Sequence, residues 1–181
     1  MQDQTWVYFI NIANYLTYII GLHNIAYINY PFPYHEYENK QKNIIETFNI
    51  ATNMVVCYNF LKNIYIVNML NDDYILITTD NSVFAIQLLS AGLIYESIYY
   101  YLILGRKNQM VLIHHIYTVF SLLLYLYYTT LHYYLSIIAL VESTNLFLTS
   151  VVSELINENL GLEATNENII FQFEASLITN N

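Results

Sequence analysis

Long apolar runs alternate with short polar breaks along most of this chain. A helix rises about 1.5 Å per residue, so roughly 20 mainly apolar residues cross a hydrocarbon core about 30 Å thick. Five runs reach that length, at about 6–28, 44–69, 82–104, 111–130 and 132–153. The first is the wettest, with Asn11, Asn14, His23 and Asn24, and the second is interrupted by Lys62. Between them lie 29–43, with both prolines (Pro31 and Pro33), 70–81, with Asp72, Asp73 and Asp80, and 105–110, with Arg106 and Lys107. The fourth and fifth runs are almost contiguous, which predicts a tight helical hairpin. No internal repeat is present. The pattern therefore predicts an all-α, polytopic transmembrane bundle of about five spans, because lipid requires each backbone amide to be satisfied within its own segment.

Composition supports that picture. Hydrophobic residues make up 56% and charged residues 10%, against roughly 25% charged in soluble domains. So few charges cannot clothe a globular surface, so lipid takes the place of water. Much of the formal charge of −9 sits after residue 153, at Glu154, Glu158, Glu163, Glu167 and Glu174. This divides the chain into a transmembrane domain, 1–153, and an acidic cytoplasmic tail, 154–181. Five Lys and Arg in all, with no basic stripe, argue against nucleic-acid binding. The sole cysteine, Cys57, excludes an internal disulfide and a cysteine-based metal site.

The first five residues carry no positive charge. This predicts neither a cleaved signal nor a transit peptide, and makes the first run a retained span. Lys40 and Lys42 lie in the first loop, Arg106 and Lys107 in the third, and none in the second or fourth. The positive-inside rule places the odd loops in the cytoplasm, the amino terminus outside and the carboxyl terminus inside. Lys62 is expected to snorkel towards the outer interface. The Asn-, Ile- and Tyr-rich usage fits AT-rich coding DNA, as in a protist or a large DNA virus.

Ionisable residues inside spans are functional candidates, because each is costly to leave facing lipid. In Leu112-Ile113-His114-His115-Ile116-Tyr117-Thr118 two histidines sit about one turn inside the fourth span, pointing about 100° apart. His114, Thr118 and Ser121 follow i, i+4, i+7 spacing and make one polar stripe. Glu96 lies eight residues before the end of the third span, roughly 12 Å deep. Glu142 and Asn145 share a face of the fifth span with Thr149. The alternative for each is a structural hydrogen bond across helices. If they converge, Glu96, His114 or His115, Thr118, Glu142 and Asn145 line one polar pocket for a lipid head group, or for acid–base chemistry. His23, His35 and His132 are expected to be structural or interfacial.

An acid in one span, a short basic loop, His114-His115 at the start of the next span and Glu142-Ser143-Thr144 in the one after resemble the TLC domain. The matching region is about 83–152. That family includes ceramide synthases, translocon-associated proteins and regulators of membrane lipid. The resemblance implies a multi-pass protein that binds lipid or regulates membrane lipid composition, in the endoplasmic reticulum or another internal membrane (a host membrane if the chain is viral). The alternative it implies is an acyltransferase resembling ceramide synthases. Such an enzyme acts on a lipid amine with acyl-CoA as cosubstrate and His114 or His115 as base or nucleophile. No metal and no other cofactor is expected.

This chain departs from the family in having Glu96 where Asp is frequent and Asn145 where proline commonly follows. It also lacks the paired aspartates downstream of His-His in ceramide synthases, which favours the regulator branch. Residues 154–181 hold only short apolar runs, such as Ile169-Ile170-Phe171, too short to cross a bilayer. Fatty-acid elongases are excluded, since their further histidine falls at Val111. Di-iron desaturases are excluded for want of histidine boxes.

Overall fold

The computed structural model describes residues 2–29, 37–70, 77–105, 109–129 and 131–140. Among the described residues the fold is entirely helical, with no strand. Met1–Ile137 form one compact unit; of the second, Ile138–Asn181, only 138–140 are described. The helices are α1 (Gln2–Asn29), α2 (Tyr37–Leu70), α3 (Asp80–Ser97), which continues as a π-helical segment (Ile98–Ile103), α4 (Gln109–Tyr128) and a fifth helix described over 132–140.

The predicted runs thus correspond to helices, with one correction. The loop expected at 29–43 is shorter, because α2 starts at Tyr37. Glu38, Lys40 and Lys42 carry charge and yet favour helix as straight-chain residues; hydropathy cannot see that part of the helix. Two helical stretches, Asp80–Ile103 and Gln109–Tyr128, are long and apolar enough to cross a membrane. The fifth helix is described as far as residue 140 of the predicted 132–153 span, and the rest of that span and the predicted tail lie outside the described residues.

Helix α3 is the axis of the bundle, packed against α1, α2 and α4. Its buried positions are mostly small or polar: Ser82, Ala85, Gln87, Ser90 and Ala91. Small residues let backbones approach closely. At Gly92 an added Cβ would meet the Thr52 methyl at 3.2 Å. Gly92→Val is accordingly expected to push α2 from α3 and lower the melting temperature of the detergent-purified protein, whereas Gly21→Ala, in open space, leaves it unchanged or raised.

Polar side chains are set within a mainly apolar core, and large apolar side chains cover much of the exterior. The interior holds His23, Gln41, Asn63, Gln87, His115 and His132. The exterior displays Trp6, Tyr18 and Ile28 on α1, Tyr58 and Met69 on α2, and Ile116 and Phe120 on α4. Only 17% of the α4 span is buried.

Two polar layers tie the helices together. In the first, the Thr79 hydroxyl donates to Asn63 Oδ1 (2.6 Å), and Asn63 Nδ2 donates to Ser136 Oγ (2.8 Å). Thr79 also caps α3 through the Ser82 amide. His132 Nε2 donates to the Tyr125 carbonyl (3.0 Å), leaving Nδ1 to face the Ser82 hydroxyl (2.9 Å). The tight turn between α4 and the fifth helix puts Thr129 and Leu131 at φ 50° and 61°, a conformation that costs non-glycine residues about 1–2 kcal/mol. The His132 bond and a bond from the Thr78 hydroxyl to the Thr129 carbonyl (2.8 Å) hold it closed.

The second layer lies 13 residues further along α3, about 20 Å away. Here the Tyr95 hydroxyl donates to His23 Nδ1 (2.7 Å) and His23 Nε2 donates to Gln41 Oε1 (2.6 Å). All three side chains are buried, and the Tyr99 ring lies over His23 with centroids 4.0 Å apart. One chain of hydrogen bonds thus joins α1, α2 and α3.

Candidate functional site: the Glu96, Ser97 and His115 cluster

The rotation of α4 chooses between the adjacent histidines. His115, Leu122 and Leu126, at i, i+7 and i+11, form its buried stripe. His114 is turned about 100° away and is exposed, its ring 6.0 Å from that of His115. The polar stripe His114, Thr118 and Ser121 therefore follows the outer side of α4. Thr118 is half-buried there, and His114 and Ser121 are exposed.

His115 meets two consecutive residues of α3. Its Nδ1 lies 3.1 Å from Ser97 Oγ, and its Nε2 lies 3.9 Å from Glu96 Oε2. The protons can be assigned by counting. The Ser97 hydroxyl donates to the Leu93 carbonyl one turn back, at 2.8 Å, which uses its single proton. His115 Nδ1–H then donates to Ser97 Oγ. In the neutral imidazole Nε2 is left with a lone pair, and that lone pair faces a carboxylate oxygen.

A gap of 3.9 Å exceeds a direct N···O hydrogen bond, about 2.7–3.2 Å. The His115 side chain is 9% exposed and that of Glu96 24%, so the pair is set into the bundle and open at the carboxylate. Two acceptors held this way suit a group that donates hydrogens to both. The π-helical segment begins one residue after Ser97. Gly105, at φ 65°, follows it and supplies the left-handed position that closes such a helix. Helical π turns recur at functional sites; here the segment carries Tyr99 onto His23. Tyr95, Glu96 and Ser97 are consecutive, so the buried His23 layer and the His115 cluster share one turn of α3.

Of the residues expected to line a pocket, Glu96 and His115 come together, while His114 and Thr118 lie on the outer side of α4. Glu142 and Asn145 lie outside the described residues, as does His35. Ser97, Tyr95 and Gln41 carried no sequence expectation. Only Ser97 had a signal: Glu96-Ser97 repeats the Glu-Ser pair of Glu142-Ser143. Among the described residues no three His, Cys, Asp or Glu side chains are grouped to hold a metal ion. No family model, no curated protein and no solved structure matches the chain.

Proposed function

We propose that this chain is a multi-pass, TLC-like integral membrane protein that holds the polar head of a membrane lipid at Glu96 and His115, and so binds lipid or regulates membrane lipid composition. The observation that carries this reading is the pair of facing acceptors, His115 Nε2 and Glu96 Oε2, 3.9 Å apart. The complementary head group carries N–H or O–H donors, as an amine or a polyol does. The apolar exterior of α1, α2 and α4 supplies the setting, since lipid that reaches the site arrives along those faces. The TLC resemblance of the His-His and Glu-Ser/Thr motifs draws on the same residues and points the same way.

The same pair supports an acyltransferase reading. A His115 lone pair beside a carboxylate can take the proton of a lipid amine as that amine attacks an acyl thioester, and return it to the CoA thiolate that leaves as the C–S bond breaks. The two readings separate in one experiment. The protein is purified from membranes in mild detergent, and its copurifying lipids are quantified by mass spectrometry, with and without added acyl-CoA. Glu96→Gln and His115→Ala are each expected to lower retained donor-bearing lipid by about tenfold or more, the value of one charge-assisted hydrogen bond. Glu46→Gln, exposed on α2 near Lys42, should retain it. New acyl products favour the enzyme. Lipid content identical in all variants would defeat the site.

A further inference from the structure

We propose that Gln87 binds a buried water molecule where α3 meets α1. Phe84, Gln87, Ala91 and Tyr95, at i, i+3, i+7 and i+11, lie along one stripe of α3. Both ends of that stripe touch α1. The Phe84 ring meets Tyr15 edge-on, with centroids 5.6 Å apart, and the Tyr95 hydroxyl bonds His23 at 2.7 Å. Gln87 therefore sits in the α1–α3 interface, between the layer at Ser82 and the layer at Tyr95. Its side chain is 2% exposed, and its Nε2 has no hydrogen-bond partner among the described residues. Native interiors pair nearly every buried donor, because a bare one has lost its hydration without replacement.

The surroundings select the occupant. It has to accept a hydrogen bond from Nε2 and be small, because Ile12 and Ile19 of α1 and Ala91 of α3 are at most 7% exposed and close the interface. A lipid carbonyl trailing its chain does not fit there. An anion does not suit, since neither α1 nor α3 holds a lysine or an arginine. Water accepts from Nε2 and needs an acceptor for its own protons. Ser90, fully buried and one turn along α3 from Gln87, supplies it. The Ser90 hydroxyl donates its single proton to the Ile86 carbonyl at 2.8 Å, which leaves Oγ as an acceptor. Two polar partners are the least that hold such a water. Gln87 and Glu96 are half a turn out of phase on α3, so this site is separate from the Glu96 cluster and independent of any lipid held there.

The full chain in a lipid nanodisc, determined at a resolution that shows water, is expected to have density about 2.7–3.2 Å from both Gln87 Nε2 and Ser90 Oγ. Apolar atoms alone around Nε2, or a protein acceptor on it, including one from residues 141–181, overturns the site. Thermal unfolding of detergent-purified variants reads the same question through its sign. Gln87→Met keeps the length of the side chain and removes the donor. Replacing a bare amide raises the melting temperature, whereas replacing one that anchors a water lowers it. A fall of roughly 2–4 °C is expected, and an unchanged or raised value overturns the water. Ser90→Ala should lower the melting temperature more in the wild type than in the Gln87→Met background, because the water couples the two positions. Equal effects in both backgrounds overturn the bridge. If a variant does not fold, the density in the wild-type protein decides.

Discussion

His23→Ala is expected to destabilise the detergent-purified protein by about 3 kcal/mol. It leaves two buried groups without partners, the Tyr95 hydroxyl and the Gln41 carbonyl, each costing about 1–3 kcal/mol. It also opens a cavity beneath Tyr99 and Phe48, whose rings flank the imidazole. Cross-helix hydrogen bonds in membrane proteins average only about 0.6 kcal/mol by double-mutant cycles, which pulls the figure towards its lower bound. The cavity and the doubling of orphaned groups push it back up. Tyr95→Phe, which keeps the ring and removes one bond, should cost about 1 kcal/mol. Thermal unfolding of the two variants and their double mutant checks this. If His23→Ala melts with the wild type, the His23 layer does not hold the bundle together.

The opposite layer has Asn63 at its centre, and Asn63→Ala is expected to cost about 2 kcal/mol or more. Asn63 is fully buried and bonds both the α3 cap, through Thr79, and the fifth helix, through Ser136. Its loss frees a capping residue whose removal alone typically costs about 1 kcal/mol, and leaves Ser136, among the described residues, with its bond to the His132 carbonyl. Ser136→Ala removes a single arm and should cost about 1 kcal/mol. The double mutant should fall short of the sum of the two singles, because both remove the same bond. Full additivity would show that the Asn63–Ser136 contact contributes nothing.

Much of the fold is legible in hydropathy. Runs of apolar residues separated by charge and proline are local features, and helix formation in a low-polarity setting depends on little else. Hence the runs at 6–28, 82–104 and 111–130 coincide with α1, with α3 plus its π segment, and with α4 to within a few residues. The early start of α2 was not legible, because Lys and Glu in a helix look like loop to a hydropathy reading. The cap of α3 carries a weak sequence signal, because its capping box is closed by Ser82, where the recognisable signature has Glu or Gln at that place.

The candidate site divides along a similar line. Glu96 and His115 could be singled out from sequence because an ionisable group in an apolar helix is expensive wherever it points. Composition and spacing thus determine on their own that the chain is helical, apolar and seeded with a few costly side chains. They do not determine which way each helix is turned. His114 and His115 differ by about 100° of rotation, and only the packing of Leu122 and Leu126 against the rest of the bundle decides that His115 is the inner one. Ser97 acquires its role from a helix 18 residues away. His23 meets Gln41 across 18 residues and Tyr95 across 72. Those pairings arise from the relative rotation and depth of separate helices, which the tertiary structure decides because no local pattern encodes them.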